Sequence, residues 1–390
     1  MLVVFASACG VIQHLRPSVL PGAGLEPPSI VPNTIAAGST LSMVITEDGS
    51  LWAWGSNRLG QLGDGTDVNR HYPVKIMDDM ASISVSVGEI IYSAVNHTIV
   101  AALTSDGTLM VWGLDVRDRA LGIQQDSGPP QSRRFLSAPS KVMQNVSDFS
   151  VGNGHIMAIT SDGTLWGWGV NSQRQISASD SRHYSSPMRV MDDVIAVSTG
   201  SFHTMAITSD GVLWGWGGND RGQIGGGAAH QRAMPFTRIM DDVIAVSAGS
   251  NHTMAITSDG VLWGWGGNWY GELGDGTATH RDSPVRIMDD VIAVSAGSHH
   301  TMAITSDGTL WGWGANWRGQ LGDGTTDDRH SPAKIMADVV AVSVGGGHTI
   351  AVTSDGVLWA WGENYVGQLG DGTTENRYSP VRIMDGVRVP

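Results

Sequence analysis

The chain is poor in several residue types, and each scarcity excludes a class of protein. Its 390 residues include a single cysteine, Cys9, so neither an internal disulfide framework nor a cysteine-based zinc site can form. Charged residues make up only 15% of the chain, the net charge is -14, and no run of lysine or arginine occurs. Nucleic acids and anionic membranes require a basic surface, which this composition disfavours. The sign of the charge favours a basic protein partner.

Long apolar segments are also lacking. No apolar run approaches the roughly 20 residues that a membrane-spanning helix needs. The apolar run in residues 1–10 is short and has no Lys or Arg before it, and a Pro-rich stretch follows. The sequence Ala6-Ser7-Ala8-Cys9 resembles a bacterial lipoprotein cleavage site, with Cys9 as the lipid anchor. We therefore interpret residues 1–33 as a truncated signal or lipoprotein leader, or else as a disordered tail.

Familiar catalytic motifs are lacking as well. There is no Gly-x-Ser-x-Gly elbow, no phosphate-binding Gly-Lys-Ser/Thr loop and no His-Glu-x-x-His. The acidic residues are spread evenly through the chain, as turn and surface residues would be. We therefore predict a non-enzymatic protein without catalytic, cofactor-binding or metal-binding residues.

Glycine and tryptophan, in contrast, are abundant, with 52 and 15 residues against only 5 phenylalanines. A segment close to Ser-Asp-Gly-Thr-Leu-Trp-Gly-Trp-Gly recurs along the chain, and its turn glycine falls at Gly49, Gly107, Gly163, Gly211, Gly260, Gly308 and Gly356. The successive spacings are 58, 56, 48, 49, 48 and 48 residues. Such a period indicates seven tandem units that form one body over residues 34–390.

One unit, Met288–Ile335, shows the expected local structure. Asp307-Gly308 is a strong two-residue hairpin signal, and no helical periodicity is present. The unit predicts four short strands at Val291–Ala296, His300–Thr305, Leu310–Gly314 and Pro332–Met336. Four such strands form one antiparallel blade, with the proline at the start of the fourth strand.

The incomplete ends of the array complement each other. Residues 32–38 match the end of a first strand, and Met384–Val389 match its beginning. This predicts an all-β, seven-bladed β-propeller of four-stranded antiparallel blades, closed into a ring by the two termini. A β-solenoid is the alternative. Two units are longer, around residues 86–96 and 124–137, and we interpret the extra residues as loop insertions.

The segment Gly297–Gly322 follows the pattern Gly-x-x-His-Thr, Ala-Ile-Thr, Asp-Gly, Leu-Trp-x-Trp-Gly and Gly-Gln-Leu-Gly. It resembles the regulator of chromosome condensation repeat, and the resemblance covers residues 34–390. That resemblance implies a seven-bladed propeller. The family's roles include nucleotide exchange on a small nuclear GTPase, ultraviolet reception in plants, ubiquitin-ligase modules and secreted bacterial inhibition of β-lactamases. The near-identical repeats most resemble bacterial members, many of which are predicted to be exported.

Two sets of residues invite a metal interpretation. Five histidines share one repeat position, namely His155, His203, His252, His300 and His348. Metal ligands must lie about 2 Å from one point, whereas these lie in separate blades. We expect each to hydrogen-bond backbone within its own blade. The Gly-Asp-Gly-Thr loops match neither calcium-loop spacing, and an Asx turn explains them.

Thirteen of the 15 tryptophans lie in the Leu-Trp-x-Trp-Gly strand. Residues two apart on a strand point to one face, so we expect that face to pack as core between blades. The family's ultraviolet receptor carries its light-sensing tryptophans largely in Gly-Trp-Arg-His-Thr segments. The matching segments here lack tryptophan, which disfavours photoreception.

The informative variation lies in the loop after the tryptophan strand. The residue after the loop asparagine is Arg58, Ser172, Asp220, Trp269, Trp317 and Tyr365 in successive matching units. Three consecutive units carry a large aromatic there, and Trp, Tyr and Arg are favoured anchors of binding sites. Our candidate partner-binding residues are therefore Trp269, Tyr270, Trp317, Arg318 and Tyr365. The alternative is that these rings merely cover the blade edge.

These observations favour a non-enzymatic protein-binding propeller that uses one loop rim. We expect it to be exported or surface-tethered in a bacterium, and thus extracellular, with the cytoplasm as the alternative. A guanine nucleotide exchange factor for a small GTPase is a second hypothesis, with residues 124–137 as its candidate insertion. A carbohydrate-binding module, which would also use exposed Trp and Tyr, is a third.

Overall fold

The computed structural model describes residues 3–7, 11–15, 33–86, 98–114, 135–227 and 231–389. These residues contain 30 β-strands, and no helix occurs among them. Strands β1 (Val3–Ser7) and β2 (Val11–Leu15) pair antiparallel with each other. The other 28 strands form seven four-stranded antiparallel sheets. The described part of the chain includes no helix with the length and hydropathy to cross a membrane.

Each sheet is one blade, and its four strands follow one another in chain order. Blade 1 contains β3 (Ile35–Ala37), β4 (Leu41–Ile45), β5 (Leu51–Gly55) and β6 (Arg70–Met77). Blade 2 contains β7 (Met80–Val85), β8 (Ile99–Thr104), β9 (Leu109–Leu114) and β10 (Phe135–Met143). Blade 3 contains β11 (Val146–Val151), β12 (His155–Thr160), β13 (Leu165–Val170) and β14 (His183–Met191).

The remaining four blades repeat this arrangement. Blade 4 contains β15 (Val194–Thr199), β16 (His203–Thr208), β17 (Leu213–Asn219) and β18 (Gln231–Met240). Blade 5 contains β19 (Val243–Ala248), β20 (His252–Thr257), β21 (Leu262–Gly266) and β22 (Arg281–Met288). Blade 6 contains β23 (Val291–Ala296), β24 (His300–Thr305), β25 (Leu310–Gly314) and β26 (Arg329–Met336). Blade 7 contains β27 (Val339–Val344), β28 (His348–Thr353), β29 (Leu358–Gly362) and β30 (Arg377–Met384).

The blades are arranged in a closed ring. The first strand of each blade contacts the first strand of the next, and the first strand of blade 7 contacts that of blade 1. The chain is therefore a seven-bladed β-propeller of four-stranded antiparallel blades, as the repeat predicted. The two predicted insertions, around residues 86–96 and 124–137, fall largely outside the described residues.

Ring closure uses both ends of the propeller, as predicted. The short strand β3 is extended by a C-terminal segment, in which Val387 is fully buried and bridges to Thr46. The Val387 N–H donates to the Gly356 carbonyl of blade 7 at 3.1 Å, and the Arg388 N–H donates to the Ile45 carbonyl of blade 1 at 3.0 Å. The C-terminal residues thus join the last blade to the first and cover a strand edge.

The predicted strands of the blade 6 unit agree with the structure except at the fourth. That strand begins at Arg329, so Pro332 lies within it rather than at its start. The fourth strand is the outer edge of its blade, where a missing N–H breaks no further ladder. A register shift separates its pairings with Gly312 and Gly314, which accommodates the extra residues on the outer strand.

The two rims of the propeller are built from different turns. The hairpin rim contains the turns between second and third strands and the connections between blades. The loop rim contains the loops between first and second strands and between third and fourth strands. On the hairpin rim, the Asp307 carboxylate accepts from Thr305 Oγ1 at 2.7 Å and from the Thr309 N–H at 3.0 Å. Asp290, in the connecting turn, has φ 57°, a conformation that Asp, Asn and Gly tolerate best.

The strand tryptophans divide into two groups. The second tryptophan of each strand is fully buried at the interface between blades, at Trp54, Trp112, Trp168, Trp216, Trp265, Trp313 and Trp361. The first tryptophan of the pair is only half-buried, as at Trp311. The core prediction is therefore confirmed for the second position alone. The Trp313 indole N–H also donates to the Glu272 carbonyl of the preceding blade at 2.9 Å, a bond that joins the two blades.

The five equivalent histidines correct our expectation that each bonds its own blade. His300 Nε2 lies 2.9 Å from the Thr349 hydroxyl oxygen in the next blade, and that hydroxyl donates to the Gln320 carbonyl at 2.8 Å. Because the hydroxyl has one proton, the imidazole must donate, which fixes the Nε2–H tautomer. Four further interfaces repeat the contact, at His155–Thr204, His203–Thr253, His252–Thr301 and His348–Ser42.

A glycine makes this close approach of two blades possible. A Cβ at Gly249 would lie 2.4 Å from His252 Cε1 and 2.6 Å from the Gly297 carbonyl oxygen of the next blade. Burial lowers the pKa of His252 to about 4, so the imidazole is neutral at pH 7. The Gly-x-x-His segment is therefore an interface between blades rather than a ligand set.

Candidate functional site

The loop between third and fourth strands is built around one buried asparagine. In blade 5, Asn268 Oδ1 accepts from the Leu273 N–H at 3.0 Å, and its Nδ2 donates to Asp275 Oδ1 at 3.1 Å. Equivalent asparagines are buried in blades 1, 3, 4, 6 and 7, at Asn57, Asn171, Asn219, Asn316 and Asn364. The asparagine fixes the path of the loop, so the two residues that follow it are presented at the rim.

An aspartate fixes the far side of the same loop. Asp275 Oδ1 accepts from the Thr277 N–H at 3.0 Å, which is the Asx turn that the sequence indicated. Its Oδ2 accepts from Arg281 Nε at 2.7 Å. Partial burial opposes ionisation of Asp275, but the hydrogen bonds from Thr277 and Arg281 outweigh it and lower its pKa. The carboxylate oxygens thus hold the loop together through donors of the chain itself.

The candidate residues lie on this rigid framework with their rings exposed. Trp269 is 45% exposed, Tyr270 36%, Trp317 41% and Tyr365 55%, although the core beneath them is fully buried. They belong to the loops of three consecutive blades, as the repeat predicted. A contiguous patch of exposed aromatic side chains often marks a binding site, whereas single exposed rings are ordinary.

The structure brings some of these rings into contact. The Tyr270 ring of blade 5 meets the Trp317 ring of blade 6 edge-on, with centroids 4.7 Å apart. On the other side, the Arg221 guanidinium of blade 4 lies 4.1 Å from the Trp269 ring centroid, and His280 meets the same ring edge-on at 4.6 Å. The rim cluster, defined as Arg221, Trp269, Tyr270, Trp317 and His299, therefore spans blades 4 to 6 as two contacting groups, which the consecutive residues Trp269 and Tyr270 join along the chain.

Tyr365 joins this surface in a different way. Within the described part of the chain it makes no ring contact with Trp317, so the three aromatic residues at the varying repeat position do not touch one another. Arg318 Nε lies 3.2 Å from Glu363 Oε1, and this ion pair bridges blades 6 and 7 beside Tyr365. Burial and the Glu363 charge raise the pKa of Tyr365, and the Arg318 charge partly opposes them. The Arg318–Glu363 ion pair thus connects the blade 6 loop to the blade 7 loop that carries Tyr365.

Sequence reasoning missed several members of the site. His299 packs 5.4 Å from the Tyr270 centroid and 5.7 Å from the Trp317 centroid. Its position, the third residue of Gly-x-x-His, also varies between units, as Thr40, Gly154, Phe202, Asn251, His299 and Gly347. Both varying positions lie on the loop rim. Comparing every position of the repeat, not only the one after asparagine, is the signal that would have found His299.

The described residues show no set of side-chain donors for a metal ion. Among the residues that the structure covers, no three His, Cys, Asp or Glu side chains converge closely enough to hold an ion. The equivalent histidines are separated by blade interfaces, and the loop aspartates bind Asn, Thr and Arg. The chemistry that this rim offers is recognition by ring faces, guanidinium groups and a few carboxylates.

The fold and the rim define a class of protein: a closed propeller that presents variable loops on one face of an invariant scaffold. The chain belongs to the RCC1-like domain family, whose model matches residues 89–389. Models of the regulator of chromosome condensation (RCC1) repeat also match residues 48–95 and 33–61. The predicted family resemblance is confirmed.

Individual relatives match only part of the chain. The mitochondrial RCC1 domain-containing protein RUG3 of Arabidopsis thaliana is 33% identical over 150 residues, which are 38% of this chain and 32% of that protein. The ultraviolet-B receptor UVR8 of the same plant is 31% identical over 148 residues, 38% of this chain and 31% of the receptor. The matches thus span about a third of the length of these relatives.

Solved structures share the fold over most of the chain. Prp20p from Saccharomyces cerevisiae has a TM-score of 0.73 and 20% identity, covering 88% of each chain. Human WBSCR16 has a TM-score of 0.71 and 24% identity, covering 86% of this chain and 94% of that one. At these identities the likeness shows the propeller fold alone.

Proposed function

We propose that this chain is a non-enzymatic protein-binding scaffold that holds its partner against the loop rim of blades 4 to 7. The observation that carries the proposal is the rim cluster, in which Trp269, Tyr270 and Trp317 are exposed. Equivalent positions in blades 1, 3 and 4 carry Arg58, Ser172 and Asp220. Bulky rings at three adjacent loops therefore distinguish one sector of an otherwise regular ring.

The scaffold supports binding because it holds the rings in place before a partner arrives. The loop beneath Trp269 and Tyr270 is held by Asn268 and Asp275, which are themselves hydrogen-bonded on both sides. Tyr and Trp have few rotatable bonds, so ordering them costs little conformational entropy. A preorganised aromatic surface of this kind suits a protein interface.

Proteins that share the fold lend support to a protein partner. The structure of Prp20p is described together with its binding to Gsp1p and histones, and a second structure shows Kap60 bound to yeast RCC1. The partner of the present chain is a separate question, because the variable rim residues decide which protein fits.

The test uses the intact chain as immobilised bait, with captured proteins identified by mass spectrometry. The double change Trp269→Ala with Trp317→Ala should abolish capture of the partner. The matched control is Asp242→Asn with Asp290→Asn on the hairpin rim, where Asn145 already occupies the equivalent place in another connecting turn. A partner lost from the rim variant but kept by the control supports the proposal. A partner kept by both would place binding elsewhere.

Two other activities remain as alternatives with their own tests. Nucleotide release from candidate small GTPases tests the exchange-factor hypothesis, which the Gsp1p-binding relative motivates. Its candidate insertion, residues 124–137, lies almost wholly outside the described residues. A glycan array tests the carbohydrate-binding hypothesis, which the exposed Trp and Tyr motivate. Specific glycan binding without protein capture would replace the proposed function.

We also propose that the protein is exported in a bacterium and tethered at Cys9, an idea that rests on the sequence of residues 1–10. Fractionation of bacteria that express the full chain, with Cys9→Ser as the matched variant, tests it. Release of the variant from the membrane fraction supports a lipid anchor. Identical distribution of the two forms would contradict it.

A further inference from the structure

One residue of the loop rim differs from its equivalents in the other repeats, although the fold does not require the difference. Five of the six described loops carry glutamine four residues after the asparagine, at Gln61, Gln175, Gln223, Gln320 and Gln368, whereas blade 5 carries Glu272. The side-chain oxygen at this position accepts a backbone N–H in every case. Glu272 Oε2 accepts from Tyr270 at 2.8 Å, and Gln320 Oε1 accepts from Arg318 at 2.8 Å. The neutral residue therefore performs the structural role just as well.

The charge of Glu272 is costly where it lies. The residue is only 3% exposed, and burying a carboxylate is unfavourable unless other groups compensate for the lost water. Its second oxygen, Oε1, lies 3.7 Å from His299 Nδ1, which is longer than a good hydrogen bond. Burial opposes ionisation, yet the contact with His299 and the hydrogen bond from the Tyr270 N–H outweigh it and lower the pKa of Glu272. The loop thus keeps a buried negative charge that five sister loops do without.

Three rings meet beside this carboxylate, and the His299 ring is the one that contacts it. Tyr270, Trp317 and His299 meet pairwise, with centroids between 4.7 and 5.7 Å apart. Tyr270 and Trp317 remain partly exposed, so their faces and edges are accessible from outside. The π-faces of aromatic rings carry negative electrostatic potential, and a buried carboxylate beside them adds to it. This combination attracts a cation more than a neutral or anionic group.

The surroundings have the same sign. Asp220 in the blade 4 loop and Asp327 in the blade 6 loop are exposed, and neither forms a salt bridge with any described residue. Arg318, the nearest cation on the far side, is already paired with Glu363. On the near side, the Arg221 guanidinium lies against Trp269, so a planar cation already packs on a neighbouring ring of the same rim.

We propose that Glu272, Tyr270, Trp317 and His299 form a pocket that binds an arginine or lysine side chain from a basic segment of the partner protein. The proposal rests on the protein-binding function proposed above and adds the chemistry of the group recognised. Charge complementarity carries it: the ring faces and the buried carboxylate favour a cation, and the exposed aspartates on either side favour a segment with more than one. A neutral sugar would gain less from the buried charge than a cation would.

Each test substitution installs a residue that another repeat unit already carries at the equivalent position. Glu272→Gln installs the residue of five sister loops and removes only the charge. Asp290→Asn removes one charge on the opposite rim and gives the same net charge, with Asn145 as its precedent. The probes are two fluorescein-labelled Gly-Ser peptides, one with three arginines and the other with three citrullines, which have nearly the same shape without the charge. Binding is measured by fluorescence anisotropy on the full chain at low and moderate salt.

The arginine peptide should bind the wild-type chain at least about tenfold more tightly than the citrulline peptide. Glu272→Gln should weaken the arginine peptide by about tenfold, whereas Asp290→Asn should change it by less than about twofold.

Two results would overturn the pocket. The arginine peptide could fail to bind or bind no better than the citrulline peptide, or Glu272→Gln and Asp290→Asn could weaken its binding equally. In each case, capture of a partner that still depends on Trp269 and Trp317 would leave the proposed function standing. If partner capture does not depend on Trp269 and Trp317, the proposed function itself is contradicted, irrespective of the peptide results.

Discussion

The two rims of this propeller carry out different tasks with the same repeat. On the hairpin rim, the Asp-Gly turn and the connecting turn change little from blade to blade, and their polar atoms bond to one another. On the loop rim, the asparagine recurs in six blades and the aspartate in blades 1, 5, 6 and 7, but the two residues that follow the asparagine vary. The contrast shows that the residues that hold the loop in place are not the residues exposed on it. The exposed residues can therefore change with little cost to the stability of the fold.

Within blade 6, two tryptophans only four positions apart show the same contrast. Trp313 is buried between blades and donates to the preceding blade, while Trp317 lies exposed on the loop rim. If the account is right, the two tryptophans differ sharply in what their removal costs. The predictions below follow from that difference, beginning with the largest effect.

Trp313→Ala should lower the free energy of unfolding by about 3–5 kcal/mol, since it leaves a large cavity between blades 5 and 6. Trp311→Ala, in the same strand but half-buried, is the matched control and should cost clearly less. Urea unfolding followed by circular dichroism measures both. Equal losses would mean that the division of the strand tryptophans into two groups is wrong.

Removal of residues 385–390 should cost about 3 kcal/mol, from the buried Val387 side chain together with its backbone hydrogen bonds. The loss opens the ring and exposes a strand edge, so the truncated protein should also aggregate. Thermal melting and size-exclusion chromatography check both effects. A truncated chain that melts normally and stays monodisperse would contradict closure by the termini.

Acid should weaken the interfaces that contain histidine. Burial lowers the pKa of His203 to about 3, below the 6.5 of an unfolded histidine. As the pH falls through this window the unfolded state binds a proton that the folded state excludes, so stability is lost. By pH 5 the loss is about 2 kcal/mol for one histidine, at roughly 1.4 kcal/mol for each pH unit below 6.5.

The repeat offers its own control for that effect. Leu41 and Ile99 occupy the histidine position in blades 1 and 2, so His203→Leu is a tolerated type of change. Urea unfolding at pH 7 and pH 5 should show that the variant loses about 2 kcal/mol less than the wild type between the two pH values. The same loss in both proteins would mean that His203 is protonated in the fold.

Trp317→Ala should have the smallest effect on stability, within about 0.5 kcal/mol, because the loop is held by Asn316 and Asp323 instead. The same urea titration measures it beside Trp313→Ala. A cost comparable with that of Trp313 would show that the exposed rings cover the blade edge, which is the alternative to binding.

Much of the fold could be predicted because it is local and repeated. Val291–Ala296, His300–Thr305 and Leu310–Gly314 appear in the sequence with their final bounds, since alternation and an Asp-Gly turn determine them within one unit. The partner of His300 could not be predicted, because Thr349 lies 49 residues away and meets it only after two blades stack. Contacts between blades depend on how the blades stack, which the pattern within one unit does not encode.

The candidate site, too, could be predicted only in part from the sequence. Trp269, Trp317 and Tyr365 could be found because they vary at one repeat position, and the structure exposes them all. That Tyr270 contacts Trp317 while Tyr365 stands apart depends on side-chain directions that no repeat pattern encodes. Glu272 was visible as a departure from glutamine, but only its burial in the structure shows that the charge is costly where it lies. Whether these residues bind a partner stays a prediction.

The central claim, that the loop rim holds a protein partner, is tested most directly by one dissociation constant. The partner captured by the intact chain is titrated against the wild type and against Trp269→Ala with Trp317→Ala, with Asp242→Asn and Asp290→Asn as the hairpin-rim control. The account predicts that the folded rim variant binds at least about 2 kcal/mol more weakly, about thirtyfold in the dissociation constant, while the control binds normally. A folded rim variant that binds like the wild type would contradict it.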